Sequence, residues 1–343
     1  MSKAAELAAL IGSQSSLSNR NLIINGAMQV AQRGTSSTSE GHQTVDRFQI
    51  DVNATDELAF TQTQSTTSPD GFSNSYGFEV TTAESALAAD EYAYITYRGE
   101  AQDFQQLAYG TSDAKKVTLS FYVRSSLTGK YSVLAFTSDS SPIRSNTKSF
   151  TVDSANTWER KTITFEADPS GTINNDNGMG FTVSWILAAG TDYAGTPHSG
   201  WGEYTATDDF AFSDQVNFIA QTGTFFLTGV QLEVGEQATP FEHRSFADEL
   251  ERCQRYFQTD GGTRHIFSGS TVNGAYYYLT VPLITPMRAG PTLTFSSNAA
   301  AAFNTADPVL NNSGNHRFEV YKQSNSTSNS GYFLFLYEAT AEL

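Results

Sequence analysis

The sequence has a single cysteine, Cys253, among 343 residues. One cysteine cannot form an intrachain disulfide, so the fold must become stable without a covalent link of that kind. Charged residues make up only 16% of the chain, whereas roughly 25% is typical of globular proteins. The polar surface must therefore come mainly from Ser, Thr, Asn, Gln and Tyr, a composition that favours β-sheet surfaces over solvated helices.

Positive charge is also scarce, because 20 Lys and Arg residues face 36 Asp and Glu residues and the formal net charge is −16. The first twenty residues carry +1 and residues 246–343 carry −2, so residues 21–245 carry −15. A phosphate backbone would be repelled by that field, which disfavours nucleic-acid binding, and we expect no nucleic acid as a partner. Neutral glycans and divalent cations are compatible with it.

Long hydrophobic runs are missing as well. The apolar stretch near the N-terminus, residues 4–11, is interrupted by Glu6 and is too short to span a bilayer. It is also a poor match to a secretory signal, since a single lysine precedes it. We therefore expect no membrane insertion and no encoded export route.

Sequence motifs of known enzyme classes are absent too. There is no zinc motif, phosphate-binding loop or nucleophile elbow, and no histidine has a partner at ligand spacing. The five histidines are scattered along the chain: His42, His198, His243, His265 and His316. Cys253 falls on the apolar face of a predicted helix, where a core thiol is expected rather than a nucleophile. We predict that the protein is not an enzyme.

Apolar residues that alternate with polar ones are abundant between residues 45 and 245. The run Val117, Leu119, Phe121 and Val123 is typical of this pattern. Such alternation indicates half-buried antiparallel strands, and about ten of them separated by turn clusters predict an all-β sandwich or jelly roll. The 24 Phe and 16 Tyr residues can fill its core.

Two short segments have helical character. Residues 3–11 form either a frayed terminus or a small self-associating helix, which would need a partner to be stable. Residues 246–257 predict a helix that joins two β modules. The predicted division is thus 1–44 (helix and extended segment), 45–245 (jelly roll), 246–257 (hinge helix) and 258–343 (second β module). The residues we expect to support assembly are apolar and lie in the first division: Leu7, Leu10, Ile11, Leu22, Ile23 and Ile24.

Several segments carry a pattern similar to phage virion proteins. They are NRNLIINGAMQVAQRG at 19–34, VDRF at 45–48, TLSFYVRS at 118–125, WERKTITF at 158–165, FLTGVQLEVG at 226–235, ATPFEHRS at 238–245, ELERCQRYF at 249–257 and TPMRAGPT at 285–292. Together they resemble phage tail-fibre and minor structural proteins, whose central module resembles carbohydrate-binding-module jelly rolls of the galactose-binding type.

The resemblance implies a homotrimeric tail fibre that attaches to other virion proteins through residues 1–44. Its expected function is adsorption to host cell-surface polysaccharide, after assembly of the virion in the host cytoplasm. A capsid-surface fibre or decoration protein shares these features, and a free glycan-binding module is a further alternative.

Sugars stack their C–H faces on exposed aromatic rings, so aromatic residues in loops or at strand edges are the candidate glycan ligands. We select two groups: Tyr193, Trp201 and Tyr204 in the first module, and Tyr276, Tyr277 and Tyr278 in the second. For Trp201 the alternative is packing against the sandwich edge.

Jelly rolls of the resembled type often hold a structural Ca²⁺ between their first and last strands. The resemblance makes Asp46 and Glu233 the candidate ligands, because both would lie near those strands. Carboxylate oxygens suit this hard cation, although the sequence has no calcium-binding loop motif. No other cofactor is expected.

Overall fold

The computed structural model describes residues 19–54, 57–262 and 264–343. The chain divides into two compact units, one that ends at Phe246 and also includes Leu343 (unit 1), and one that spans Ala247–Glu342 (unit 2). The predicted helix 3–11, with the expected assembly residues Leu7, Leu10 and Ile11, lies outside the described residues. No described helix is both long and apolar enough to cross a membrane.

Unit 1 consists mainly of antiparallel strands, joined by short 3-10 helices at Ala101–Leu107 and Phe218–Ala220 and a one-turn helix α1 at Ala206–Asp209. Its strands are β1 (Ser36–Ser37), β2 (Phe48–Asn53), β3 (Ala59–Ser65), β4 (Ser75–Thr82), β5 (Tyr92–Glu100), β6 (Val117–Ser125), β7 (Gly129–Thr137), β8 (Arg144–Val152), β9 (Glu159–Phe165), β10 (Met179–Ala189), β11 (Ala194–Gly195), β12 (Gly202–Glu203), β13 (Ala211–Phe212) and β14 (Gly223–Val234).

Twelve of these strands form two six-stranded sheets, sheet A in the order β1-β3-β4-β14-β6-β9 and sheet B in the order β12-β8-β7-β10-β5-β2, and β11 and β13 form a short parallel pair. The chain passes repeatedly from one sheet to the other, which confirms the predicted all-β jelly-roll sandwich. Alternate residues of each strand point into the core between the sheets. Trp185 of β10, for example, is fully buried and meets Phe121 of β6 edge to face at 5.6 Å between ring centroids.

The segment before β1 folds back onto the sandwich through two buried asparagines. The Asn21 side chain accepts from the amide of Leu232 at 3.0 Å and donates to the carbonyl of Val230 at 3.0 Å. Asn25 exchanges hydrogen bonds with the backbone of Val30 and donates to the Asp46 carbonyl at 2.9 Å. These contacts satisfy backbone groups that no strand pairs, and so fix an irregular segment inside the fold.

The residue after Asn25 is a glycine because the backbone of β14 passes very close to it. A Cβ on Gly26 would lie 2.1 Å from the Val230 carbonyl oxygen, too near for any other residue. The neighbouring Ile23 and Ile24 are 0% and 7% exposed, while Leu22 is half-buried. Both isoleucines are therefore engaged inside unit 1, and an assembly role for this group stays a prediction.

Unit 2 is also β-rich. Its strands are β15 (Phe257–Thr259), β16 (His265–Thr271), β17 (Tyr276–Pro282), β18 (Thr292–Ala301), β19 (Val309–Ser313), β20 (Arg317–Gln323) and β21 (Ser328–Thr340). Strands β15, β16 and β18 all pair with β21, and β17, β20 and β19 form a separate three-stranded sheet. Phe318, Val320, Phe333 and Phe335 are central to a buried apolar core.

Helix α2 spans Phe246–Gln254 and is shorter than the predicted 246–257. A turn with a hydrogen bond from the Tyr256 amide to the Cys253 carbonyl follows it, and Phe257 begins β15. Cys253 is buried, as a core thiol requires, whereas Phe246 is exposed and does not extend the apolar face. The hinge role of this helix stays a prediction.

Candidate functional site

The outer face of sheet B carries polar and aromatic side chains from three adjacent strands, β5, β10 and β7. The cross-strand register aligns them in two neighbouring rows: Arg98, Thr182 and Phe136, and then Thr96, Ser184 and Leu134. Because side chains alternate along a strand, the residues between these positions point into the core instead. The outer face is thus chemically distinct from the apolar interior of the sandwich.

A pocket of about 160 Å³ opens on this face. Its lining combines aromatic and aliphatic side chains with a few polar ones: Tyr94, Thr96, Arg98, Leu134, Phe136, Met179, Thr182, Ser184, Tyr204 and Phe210. Apolar walls with a few placed polar groups are the usual composition of a small-molecule site.

Hydroxyl groups form the floor of the pocket. Ser184 donates to the hydroxyl of Thr96 at 2.8 Å, and Thr96 donates to the Val183 carbonyl at 3.3 Å. The Thr182 side chain is 7% exposed, and its hydroxyl has no hydrogen-bond partner within the described residues. A buried hydroxyl without a partner is unusual and needs an explanation.

Residues 190–213, which we name the covering segment, supply the aromatic walls. Phe210 meets Tyr94 edge to face at 5.5 Å, and Tyr204 meets Phe136 edge to face at 5.2 Å. Aromatic pairs prefer this geometry, which adds stabilisation beyond burial alone. The walls are therefore packed against the sheet rather than free in solvent.

Two opposite charges lie at the side of the pocket nearest β2. Arg98 Nη2 is 3.5 Å from the Asp51 carboxylate, and Gln49 donates to the same carboxylate at 2.7 Å. Arg98 Nη1 also donates to the carbonyl of Leu343 at 2.9 Å. The guanidinium is thus held in place, and the pair adds no net charge to the pocket.

The tyrosines at the pocket stay protonated over the physiological range. Burial, followed by the nearby charge of Asp51, raises the pKa of Tyr94 well above its ordinary value. Burial, with smaller contributions from Tyr193 and Asp209, raises the pKa of Tyr204 to about 12. Both phenols are therefore neutral, so each can donate or accept a hydrogen bond.

The three aromatic candidates of the first module have different environments. Tyr204 lines the pocket. Tyr193 lies in the same aromatic cluster, edge to face with Tyr92 at 5.1 Å, but does not line the pocket. Trp201 lies elsewhere, where its indole N–H donates to the Glu166 carbonyl at 2.7 Å and its ring packs against Tyr109. The edge-packing alternative thus describes the position of Trp201.

The tyrosines of the second module point to opposite faces of β17. Tyr276 and Tyr278 are 54% and 51% exposed, and each lies within 5.6 Å of the Tyr321 ring on β20. Tyr277 faces the core and packs against Phe267 at 5.0 Å. Tyr276, Tyr278 and Tyr321 form an exposed surface that we name the tyrosine face.

The two candidate calcium ligands are each occupied by other contacts. Asp46 accepts from the backbone and side chain of Gln32 and lies 3.8 Å from Arg33. Glu233 accepts from the amide and hydroxyl of Thr239. In the described part of the chain, no three His, Cys, Asp or Glu side chains cluster as a metal site would require. Calcium binding stays a prediction.

Sequence reasoning missed most of the pocket. Thr96, Arg98, Phe136 and Thr182 are ordinary residues of alternating strands, and nothing in their spacing marks them as a site. The signal that did point here was Tyr204, in a segment rich in Gly and Pro that cannot form a regular strand. The remaining residues require the strand register, which the sequence alone does not define.

No protein-family model matches this chain, and no curated protein matches it. Among solved structures, the chain is similar to the enzymatically active domain of tailspike protein 4 from bacteriophage CBA120, with 10% identity and a TM-score of 0.34. That match covers 63% of this chain and 21% of the tailspike chain, so the chain spans about a fifth of it.

The family 11 carbohydrate-binding module of the cellulase Lic26A-Cel5E from Clostridium thermocellum is similar at 11% identity and a TM-score of 0.30, over 60% of this chain and 99% of the module. The structure of TmCBM61 with β-1,4-galactotriose is similar at 8% identity and a TM-score of 0.28, over 63% of this chain and 99% of that one.

Proposed function

We propose that this protein binds glycans, without chemically altering them, in the pocket on the outer face of sheet B. The observation that carries the proposal is the pairing of packed aromatic walls with a floor of hydroxyls, at a site whose own charges cancel. Tyr204 and Phe136 offer apolar surface to the C–H faces of a sugar ring. Thr182, Ser184 and Arg98 offer polar atoms to its hydroxyls.

A glycan array with the full chain tests this proposal, with Tyr204→Ala as the variant. We expect the wild type to bind a defined set of neutral glycans and the variant to lose about tenfold or more in affinity, because truncating an aromatic side chain that a ligand packs against costs about 2 kcal/mol or more. Tyr193→Ala is the matched control, since Tyr193 belongs to the same cluster without lining the pocket. Equal losses in both variants, or no glycan bound at all, would contradict the proposal.

We further propose that the protein is a trimeric bacteriophage virion appendage, a tail fibre that mediates adsorption to host polysaccharide. The supporting observation is the set of segments that resemble tail-fibre proteins, beginning with residues 19–34. Several pockets on one virion would raise avidity by orders of magnitude, about 10²–10⁴, so one weak pocket per chain would suffice.

Immunogold electron microscopy of intact virions with antibody to the protein tests whether it is a virion appendage. Label at the tail supports a tail fibre, whereas label over the head would favour a capsid-surface fibre or decoration protein. Absence from virions would leave a free glycan-binding module. Light scattering of the purified protein should give a trimer, and a monomer would contradict this part.

A further inference from the structure

We infer that the pocket takes the single non-reducing terminal sugar of an uncharged glycan, rather than a stretch within a glycan chain. The inference rests on the proposed glycan-binding function and adds to it which part of the glycan is recognised. Five features of the pocket lead to it: two closed sides, fixed walls, a small volume, an unpaired hydroxyl on the floor and paired charges.

The covering segment closes the pocket on two sides. Along β5, the Phe210 ring lies against Tyr94 and ends the pocket after Thr96. Across the sheet, the Tyr204 ring stands against Phe136 and ends it at β7. A glycan chain that passed straight across the sheet would meet one of these rings, whereas a chain end can enter from the side of Arg98.

Hydrogen bonds from two strands hold these walls in place. Thr147 of β8 donates its hydroxyl to the Asp209 carbonyl, and the Phe212 amide donates to the Ser132 hydroxyl of β7 at 3.0 Å. The Tyr204 amide donates to the Ile143 carbonyl at 2.9 Å. Because these bonds tie the covering segment to β7, to β8 and to the connection between the two strands, opening the pocket would require breaking several of them together.

The size of the pocket fits one sugar ring. Its volume is about 160 Å³, whereas pockets that enclose drug-sized ligands span roughly 300–1,000 Å³. Further sugar units would therefore lie outside the walls, where few side chains of the site could contact them. Affinity should come mostly from the first unit.

Thr182 lines the pocket, and we assign it a polar contact to a sugar hydroxyl that requires its buried side-chain hydroxyl to turn toward the ligand. Its side chain is on the floor between Arg98 and Phe136, and its hydroxyl is unpaired within the described residues. A hydroxyl left without a partner costs free energy, which a ligand hydroxyl can recover on binding. The position thus points to a hydrogen-bonding ligand.

The charges at the pocket and in the surrounding unit favour an uncharged sugar. Arg98 and Asp51 form a pair at the pocket, so the described lining residues include no unpaired cation that would bind a carboxylate or sulfate. Residues 21–245 carry a formal charge of −15, which disfavours an anionic glycan at longer range. A terminal uronic or sialic acid should therefore weaken binding.

Calorimetric titration of the full chain with mono-, di- and tetrasaccharides of the best glycan from the array tests the inference. We expect affinities that agree within about threefold across the series, since about 0.7 kcal/mol or less comes from later units. Capping the non-reducing sugar with a further, different sugar should abolish binding. A steady rise in affinity with length, or unchanged binding of the capped chain, would overturn the inference while leaving glycan binding intact. If no saccharide binds in any form, the proposed function itself fails.

Thr182→Val separates a ligand contact from a purely structural residue, because valine keeps the shape and removes the hydroxyl. We expect affinity for the monosaccharide to fall about three- to tenfold, the loss of one hydrogen bond, with unfolding unchanged. Ser145→Ala is the matched control, because its buried hydroxyl is also unpaired within the described residues but does not line the pocket. Unchanged affinity in Thr182→Val would contradict the assigned contact.

Discussion

Tyrosines lie at the candidate surfaces of both units, but their surroundings differ. In unit 1, Tyr94 and Tyr204 are half-buried, packed edge to face against phenylalanines, and stand above a floor of hydroxyls. In unit 2, Tyr276 and Tyr278 are more than half exposed on one face of a three-stranded sheet. An aromatic residue thus becomes part of a recessed site through the side chains that pack around it.

Packing matters because binding costs conformational entropy. A side chain that is immobilised only on binding costs roughly 0.5–1.5 kcal/mol. The pocket tyrosines have largely incurred that cost on folding, whereas Tyr276 and Tyr278 retain much of their freedom. We therefore rank the pocket above the tyrosine face as a binding site.

The largest loss of stability should come from removing the buried hydrogen bonds that hold the N-terminal segment against the sandwich of unit 1. In Asn25→Ala, three hydrogen bonds of a fully buried side chain are lost, and alanine tolerates the left-handed φ of +60° poorly. We expect the free energy of unfolding of unit 1 to fall by about 3–5 kcal/mol, since each orphaned buried group costs about 1–3 kcal/mol. Tryptophan fluorescence during urea unfolding measures this.

That measurement reports on unit 1 alone, because Trp158, Trp185 and Trp201 are the three tryptophans of the sequence and all belong to unit 1. Asn311→Ala is the control, as this exposed asparagine lies in unit 2 and should change stability by less than about 0.5 kcal/mol. An Asn25→Ala midpoint equal to that of the wild type would show that the N-terminal segment does not support the sandwich.

A smaller effect should come from the tyrosine face. Tyr278→Ala is expected to weaken binding of the preferred glycan by less than about threefold, because less than about 0.7 kcal/mol is at stake at an exposed ring. Tyr204→Ala should cost at least about tenfold in the same titration. If Tyr278→Ala had the larger effect, our ranking of the two surfaces would be wrong.

The strands of both units could be predicted from the sequence because burial of one face imposes alternation, as Val117, Leu119, Phe121 and Val123 illustrate. The return of residues 21–25 to the sandwich could not, because Asn21 bonds a strand more than two hundred residues away. Local patterns contain no information on such a partner.

The candidate site could be predicted only where the regular alternation of apolar and polar residues in the strands is interrupted. Tyr204 and Trp201 lie in the same Gly-rich segment. Trp201 nevertheless packs away from the pocket, where its indole N–H donates a hydrogen bond to the Glu166 carbonyl. Thr182 looks like any polar residue of a strand. Its significance depends on the neighbours that the register gives it, Arg98 and Phe136.

The smallest effect we expect is a loss of local stability at acidic pH that occurs in unit 2 and not at the pocket of unit 1. Burial lowers the pKa of His265 in unit 2, although Asp260 opposes the shift. Because the folded pKa is below the unfolded value of about 6.5, the stabilisation is complete above that pH and is lost as the pH falls through the folded pKa. We therefore expect faster hydrogen exchange in β16 and β21 at about pH 5.5 than at about pH 7.5, after correction for intrinsic rates.

His265→Gln should remove this acid sensitivity, and His316→Gln should retain it, since His316 is an exposed histidine of the same unit. The pocket should not respond in the same range, because Tyr204 has a pKa of about 12 and stays neutral. Glycan affinity should thus be constant over the pH step that loosens unit 2. An affinity that fell together with the protection of β16 would mean that unit 2 contributes to binding, and the contrast between the recessed pocket and the exposed tyrosine face would no longer hold.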